Sequence, residues 1–295
     1  MTAVPLPILH LPHNALQMSL KQMSTVEHLA LSFVSNKTRR LIKMLKEKNH
    51  ITCISMGSPI SIDFLSLTFD YKSNQKIVKI DNPEQNGSLS RLNLPGFTEK
   101  QWIEHFANVF IQNKKVMLIS DLGERKIEDI YESIKDLNIV TLDIMTSEFQ
   151  DCKLFKLFPT LEELGVSETP LSAPIFVQNF QSLTAIDVTL DDILSSNCTN
   201  LCLDDQLISD KDLNIFMRNW IKGSNPRLRK LTNTSVRHER DISDSVFFRG
   251  ISQIKTRDWC DEDTFDKEFE IKNEDGVRAK VTLSTFSFIF CIEDF

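Results

Sequence analysis

The chain has 295 residues, of which 41% are hydrophobic, and a formal net charge of −7 at pH 7. This length can bury a substantial core, and it favours a small module joined to a larger domain. No apolar run approaches the roughly 18 residues of a membrane helix, and Pro5, Pro7 and Pro12 interrupt any signal-peptide core. We therefore expect no membrane partner and a soluble protein of the cytoplasm, the nucleus or both.

Charge is distributed unevenly along the chain. Residues 1–50 carry seven Lys and Arg against two Glu, a net charge of +5, which leaves −12 for the remainder. This pattern argues against nucleic-acid binding, which needs a basic groove with aromatic side chains. Two interpretations stay open: the basic end docks an acidic partner, or residues 39–48 form a solvated helix end that is stabilised by the helix dipole.

The first fifty residues predict three short helices with little core between them. The first helix begins at Pro12 and carries Leu16 and Leu20 on one face. The second begins after Ser24, which can form a capping box with Glu27. A module of this size cannot bury all of its apolar side chains, so some of them are candidates for partner binding.

The third helix is predicted to begin after Ser35, which can serve as its N-cap. Its helical spacing directs basic side chains outward, namely Arg39, Arg40 and Lys43. The same spacing directs apolar side chains inward, namely Leu41, Met44 and Leu45.

Residues 50 to 112 change from helical spacing to short apolar runs and back again. The runs predict strands at 51–54, 62–69, 77–80 and 89–94. After them, Thr98 and Gln101 can form a capping box, and Trp102, Phe106 and Phe110 follow at four-residue steps. We therefore predict a helix over about residues 99–112.

From about 115 to 235, predicted strands alternate with amphipathic helices. The strands are expected at 116–119, 139–145, 161–166, 183–188, 201–203 and 228–231. The clearest helix spans 210–222, since Asp210 can cap it and Gly223 stands where a left-handed residue follows a helix. On this helix Trp220 and Ile221 could anchor a partner, but their spacing favours the core.

The centres of these strands are regularly spaced at first. Leu142, Leu164 and Ile186 are each 22 residues apart, and Leu203 and Leu231 follow after 17 and 28 residues. Such spacing resembles that of leucine-rich repeats, without their asparagine ladder. We therefore predict an α+β or α/β fold, in which a three-helix module precedes short strands and a degenerate leucine-rich-repeat-like strand–helix stack. The stack would leave an extended sheet face for a partner.

The last part of the chain is predicted to be an irregular connection over 236–265, followed by a hairpin whose turn contains Gly276. A final strand over 286–292 is nearly all apolar, which predicts burial on both faces. The expected domains are therefore residues 1–49 and 50–295. The second has a repeat-like core at about 115–235 and a hairpin region at 266–295.

Residue types suited to catalysis or metal binding are not grouped in the sequence. All eight glycines are isolated, so no phosphate-binding loop can form. The six histidines do not fall at metal-ligand spacing, and Cys198 and Cys202 have no second pair nearby. Cys152 and Cys260 could form a thioester only if their pKa were lowered, and no neighbouring feature does this. We predict no catalytic, cofactor-binding or metal-binding residue.

Two stretches of the chain resemble a known family. Leu11-Pro12 through Leu41 is similar to an F-box. Residues 213–228, which read LNIFMRNWIKGSNPRL, resemble part of a type-2 F-box-associated domain, and Asp275-Gly276 with Ala279 supports this. The whole chain is thus similar to nematode-type F-box proteins that join the two domains.

The resemblance implies a non-catalytic subunit of a ubiquitin ligase, in which the N-terminal helices bind a Skp adaptor of a cullin-RING ligase and the larger domain binds an unknown target protein. The implied adaptor-binding residues, some of which must instead be module core, are Leu11, Pro12, Leu16, Leu20, Leu29, Leu31 and Val34. The sequence departs from the family pattern at Asn14, Ser35 and Thr38. A protein-binding scaffold of leucine-rich-repeat-like type without ligase coupling therefore remains an alternative, and an unrecognised enzyme is a third.

Overall fold

The computed structural model describes residues 11–45, 52–57, 59–64, 67–72, 75, 77–82, 87–93, 96–111, 116–120, 126–145, 154–204, 208–234, 244–260 and 265–292. The chain divides into two compact units, Met1–Ile139 and Val140–Phe295. This division falls after residue 49 because helices of the N-terminal module pack against a helix of the segment that follows. The domain boundary at 49/50 stays a prediction.

The first unit begins with the three predicted helices, which we call the helical module (residues 11–45). They are α1 (His13–Lys21), α2 (Thr25–Ser32) and α3 (Asn36–Lys43). Capping boxes fix where two of them begin, since Ser24 pairs with Glu27 and Ser35 pairs with Thr38. The apolar core of the module consists of Leu16, Leu20, Leu29 and Ile42.

The first unit continues with a sheet and two helices. Its elements are β1 (Thr52–Met56), β2 (Ile60–Phe64), β3 (Leu67–Lys72), β4 (Ile77–Asn82), β5 (Gly87–Asn93), α4 (Glu99–Phe110), β6 (Val116–Ser120) and α5 (Ile127–Ile134). The strand order is β6-β1-β2-β3-β4-β5, and only the β1–β6 pair is parallel. The predicted single strand at 62–69 is wrong, because β2 ends at Phe64 and β3 begins at Leu67, and these two strands pair antiparallel.

Helix α4 supplies much of the core of the first unit. Its capping box between Thr98 and Gln101 forms as predicted, and Trp102, Phe106 and Phe110 are buried. The ring centroids of Phe106 and Phe69 lie 5.1 Å apart, so the helix packs on the antiparallel part of the sheet. Burying each of these rings stabilises the fold by about 1.5–3 kcal/mol.

The second unit is a mixed sheet with helical crossovers. Its elements are β7 (Ile139–Ile144), α6 (Leu154–Leu157), β8 (Glu163–Val166), α7 (Ala173–Phe176), β9 (Ser182–Ala185), α8 (Leu190–Ser195), β10 (Asn200–Leu203), α9 (Asp210–Ile221), β11 (Lys230–Thr234), α10 (Asp244–Phe247), β12 (Gln253–Cys260), β13 (Phe265–Lys272), β14 (Arg278–Ser284) and β15 (Ser287–Ile292). The strand order is β12-β13-β14-β15-β11-β10-β9-β8-β7. The paired strands from β7 to β11 are parallel. The remaining pairs, β11–β15, β15–β14, β14–β13 and β13–β12, are antiparallel.

One row of buried apolar side chains crosses this sheet from β7 to β13. Its members are Leu142, Leu164, Leu183, Leu201, Leu231, Phe290, Val281 and Phe269. The predicted alignment of Leu164 with Ile186 is wrong, because β9 begins at Ser182 and places Leu183 beside Leu164. Leu203 likewise pairs with Asn233 and not with Leu231. The coarse prediction of N-terminal helices and a strand–helix body holds, whereas the leucine-rich-repeat-like character is not confirmed.

The C-terminal region agrees with the sequence only in part. The hairpin is confirmed, since β13 and β14 pair and Gly276 adopts φ +86 in the turn. The predicted irregular connection over 236–265 is wrong, because its described part contains α10 and β12. Burial of the last strand on both faces is also wrong. Phe288 and Phe290 are buried, whereas Ile289 on the other face is partly exposed.

Candidate functional site

The helical module divides the predicted adaptor-binding residues into two groups. Leu16, Leu20 and Leu29 lie in the module core, with exposed fractions of 6%, 0% and 0%. Leu16 and Leu20 are four residues apart and therefore lie on the same side of α1. The side chains left at the surface are Leu11 and Leu31, which are partly exposed, and Pro12 and Val34, which are exposed.

The module surface carries further large apolar side chains. Met18 of α1 and Met44 at the end of α3 are each 65% exposed, and Val34 is 70% exposed. The predicted inward direction of the Met44 side chain is wrong. Ile42 occupies the core, and a residue two positions later in a helix points about 200° away from it, so Met44 faces solvent. We use the term apolar face of the module for its exposed and partly exposed apolar side chains, which are Leu11, Pro12, Met18, Leu31, Val34 and Met44.

Two departures from the F-box pattern form a helix cap. The Thr38 N–H donates to Ser35 Oγ at 3.1 Å, and the Ser35 N–H donates to Thr38 Oγ1 at 3.0 Å. Thr38 is completely buried, whereas the third departure, Asn14, is exposed in the first turn of α1. Ser35 and Thr38 therefore preserve the start of α3. Ser35 could be predicted as a cap from the sequence, whereas Thr38 could not, since capping boxes usually carry Glu or Gln at this position.

A buried polar contact holds the module against α4. Ser32 Oγ donates to Leu29 O at 2.6 Å and lies 2.7 Å from His105 Nε2, which is consistent with a ring proton on Nε2. The Phe33 ring stacks on the His105 ring with centroids 4.0 Å apart and an interplanar angle of 9°. His105 is 5% exposed. His105 follows Trp102 by three residues, so helical spacing places both side chains on the same side of α4. This spacing is the sequence signal from which the burial of His105 could have been predicted.

The His105 imidazole is neutral at neutral pH. Burial is the main cause that lowers its pKa to about 4, and the nearby positive charge of Arg39 contributes. At neutral pH the ring is therefore a hydrogen-bonding and stacking group. Lys43 adds a second link to α4, since its Nζ donates to Asn108 Oδ1 at 2.9 Å.

A cavity of about 370 Å³ opens beside this contact. The described residues that line it are Arg39, Gly96, Phe97, Gln101, Glu104, His105 and Asn108. They include no Ser, Cys, Thr or Lys that could act as a nucleophile.

The family-like string at residues 213–228 builds the second unit. Trp220 is buried, as the sequence favoured, and its ring lies 5.0 Å from that of Phe290, whereas Ile221 is partly exposed. Gly223 has φ +94, which confirms the predicted left-handed residue after α9. The helix cap is Ser209 and not the predicted Asp210, which is the first helical residue.

Asn225 closes the end of a neighbouring helix. This residue has φ +52, is 6% exposed, and its Nδ2 donates to the carbonyl oxygens of Ile193 and Ser196 at 2.9 and 3.0 Å. Those carbonyls lie at the end of α8, where helix acceptors need donors from outside the regular helical hydrogen bonds. Asn214 similarly donates to Phe247 O at 2.8 Å and ties α9 to α10. The motif thus maintains the fold.

The described residues offer no metal centre, since their His, Cys, Asp and Glu side chains do not gather in groups of three. Burial raises the pKa of the Cys198 and Cys202 thiols, so both are weak nucleophiles at neutral pH. His10, His50, His238 and Cys152 lie outside the described residues. Within the described ranges no helix has the length and apolar character needed to cross a membrane.

A three-helix module followed by a mixed α/β body with this α9 string defines an F-box protein with an associated domain. Residues 8–50 match the F-box domain model, and residues 173–232 match the model described as F-box associated. The chain is 40% identical over 295 residues to the F-box associated domain-containing protein sdz-33 of Caenorhabditis elegans, with 95% of each chain covered. No solved structure matches the chain. The chain belongs to the family of F-box associated domain-containing proteins.

Proposed function

We propose that this chain is the substrate-recognition subunit of a Skp–cullin–F-box ubiquitin ligase. The helical module binds the Skp adaptor, and the remainder of the chain binds a target protein. The chain itself does no chemistry. It raises the effective concentration of the target near the transferring subunits.

The apolar face of the module is the observation that carries the proposal. Val34, Met18 and Met44 are 70%, 65% and 65% exposed on a module of only three short helices. Moving each of these side chains out of water contributes about 1.5–3 kcal/mol, so a partner that covers several of them gains substantial affinity. The predicted residues Leu11, Pro12 and Leu31 extend the same set.

Charge supports a protein partner of acidic character. Lys21, Lys37, Arg40 and Lys43 are exposed on the module, and its described residues carry Glu27 as the only acidic side chain. Opposite charge on a partner speeds encounter more than it strengthens the final complex. Salt should therefore slow adaptor association.

The contact with α4 supports a receptor that holds its adaptor in a fixed place. Ser32 and Phe33, at the end of α2, pack on His105, so the module cannot rotate on α4 without breaking a buried hydrogen bond and a ring stack. Transfer by proximity requires such positioning, because ubiquitin must reach the target at a defined distance.

Co-purification with a recombinant Skp adaptor tests the proposal. Val34→Asp places a charge on the apolar face and should reduce adaptor recovery at least about tenfold, because a buried carboxylate loses its hydration. Val177→Asp is the matched control, since Val177 is 51% exposed on the second unit. A second variant, Leu11→Ala/Pro12→Ala, probes the start of α1.

Equal adaptor recovery by the wild-type chain, Val34→Asp and Leu11→Ala/Pro12→Ala would contradict the proposal. No adaptor recovery by the wild-type chain would favour a scaffold without ligase coupling. The Ser35–Thr38 capping box weakens that alternative, because two of the three departures that motivated it maintain α3.

A further inference from the structure

The sheet of the second unit has one buried and one partly exposed face. Side chains alternate between buried and partly exposed along β9, β10, β11 and β14. Such alternation is typical of a sheet that is covered on one side only. The buried side carries the apolar row from Leu142 to Phe269 described above.

Helices α9 and α10 cover the buried side. The Phe216 ring of α9 lies 5.4 Å from Phe290, and the Phe247 ring of α10 lies 5.7 Å from Phe288. Right-handed crossovers between parallel strands place the intervening helices on one side of the sheet, so α7 and α8 share the side of α9. The opposite side therefore carries none of these crossover helices, and we call it the polar face.

The polar face of β7 to β11 consists of two rows of side chains. One row contains Thr141, Glu163, Ser182, Asn200 and Lys230. The next row contains Asp143, Gly165, Thr184, Cys202 and Thr232. The middle of the face is thus built from short side chains, so a partner can approach the strands closely.

Unpaired charges of opposite sign stand at the two sides of this surface. Among the described residues, neither the Asp143 carboxylate nor the Lys230 ammonium has an ion-pair partner. Glu163 accepts a hydrogen bond from Thr141 Oγ1 at 2.9 Å but has no cation either. Lys230 is three strands from Glu163 in the same row, a separation of about 14 Å.

Four charges of β13 and β14 form ion pairs within the chain. Lys280 pairs with Glu268 at 2.5 Å, and Arg278 pairs with Glu270 at 3.5 Å. These four charges are therefore already paired within the chain. A docked partner of complementary charge would find unpaired counter-charges on β7, β8 and β11.

Asp143 is held in an unfavourable position. A Cβ atom on Gly165 would lie 2.2 Å from Asp143 Oδ1, so only glycine leaves room for this carboxylate over β8. Burial and the negative charge of Glu163 raise the pKa of Asp143. A cation supplied by a partner would relieve both effects.

We propose that the polar face of β7 to β11 is the surface on which the target protein docks. The docked target segment lies across the strands and presents a basic side chain to Asp143 and Glu163. It presents an acidic side chain to Lys230, about 14 Å away. This inference rests on the proposed function, because it assigns the target-binding surface of that receptor.

Selection from a display library of random peptides against the full chain tests the assignment. Peptides of about 15 residues are long enough to span these strands as a helix at about 1.5 Å per residue. Binding of the selected peptides is then measured by fluorescence anisotropy for the wild-type chain, Asp143→Asn/Glu163→Gln and Lys230→Gln. The matched controls are Asp187→Asn/Asp191→Asn, exposed acids of the β9–α8 connection and of the first turn of α8, and Lys211→Gln on α9.

Selected peptides should be rich in Lys and Arg, and Asp143→Asn/Glu163→Gln should weaken their binding by at least about tenfold. Lys230→Gln should weaken the binding of those peptides that also carry an acidic residue. The control variants should leave peptide binding unchanged, and added salt should weaken peptide binding to the wild-type chain. Recovery of no peptide, or equal weakening by face and control variants, overturns the assignment. Skp co-purification of the same variants separates this failure from that of the proposed function, because the polar face takes no part in adaptor binding.

Discussion

Protonation of His105 should loosen the helical module from α4. The pKa of this buried imidazole is lowered to about 4 from the ordinary value of 6.5. In the unfolded chain the ring binds a proton at higher pH than in the folded one, so the unfolded state gains protons first on acidification. The stability that the neutral ring contributes is complete above about pH 6.5 and is lost progressively as the pH falls to about 4.

The size of this effect follows from the shift of the pKa. Each unit corresponds to about 1.4 kcal/mol, so the full contribution is about 3 kcal/mol. His105→Gln removes the titrating group and retains a side-chain donor for Ser32. Its unfolding free energy should therefore depend less on pH than that of the wild-type chain between about pH 6.5 and pH 4.5.

Amide hydrogen exchange in α4 is the appropriate assay, because it reports local opening of the first unit. Comparing the two chains at the same pH cancels the intrinsic pH dependence of exchange. His13→Gln serves as the control, since His13 is an exposed histidine of the same unit. If wild-type protection and His105→Gln protection fell in parallel on acidification, the reasoning about the buried ring would be refuted.

Three further predictions concern stability, and each is checked by urea unfolding. Asn225→Ala should destabilise the chain by about 2–4 kcal/mol, because it removes the donor to the carbonyl oxygens at the end of α8 and strains a residue at φ +52. Asn225→Gly removes the same donor without the strain, so no loss of stability in that variant would show that the hydrogen bonds contribute nothing. Ser35→Ala should cost about 1 kcal/mol through loss of the α3 cap, and no loss would mean that the capping box contributes nothing. Gly165→Ala should be destabilising, because the new Cβ atom would clash with the Asp143 carboxylate. Adding Asp143→Ala to the same chain should restore stability, and a double variant as unstable as Gly165→Ala would show that this clash is not the cause.

Local signals in the sequence were enough to place α1 to α4 and α9. Ser24 with Glu27 and Thr98 with Gln101 are short-range pairs, so the starts of α2 and α4 could be predicted without tertiary information. The register of β9 could not be predicted in this way. Leu183 and Ile186 are both apolar, and only the pairing of β9 with β8 shows that Leu183 is the residue beside Leu164. Strand β12 was missed because its charged sequence lacks the alternation of a half-buried strand.

The docking surface was harder to predict than the fold. Leu16 and Leu20 share their residue type and helical spacing with the surface leucines, so the sequence cannot separate core from partner contact. The polar face had the opposite difficulty, since Asp143 and Glu163 are 20 residues apart in the chain and meet only through the pairing of β7 with β8. Sites built by strand pairing leave no local pattern to recognise.

The turn between α2 and α3 links the anchoring of the module to its proposed docking. Phe33 points inward and stacks on His105, while the next residue, Val34, is 70% exposed. The module thus draws part of its core from α4, because its own three helices are too small to supply one. Apolar residues that a free-standing module would need for its interior can then remain at the surface. This arrangement explains how so short a segment can be stably folded and still offer an apolar face to a partner.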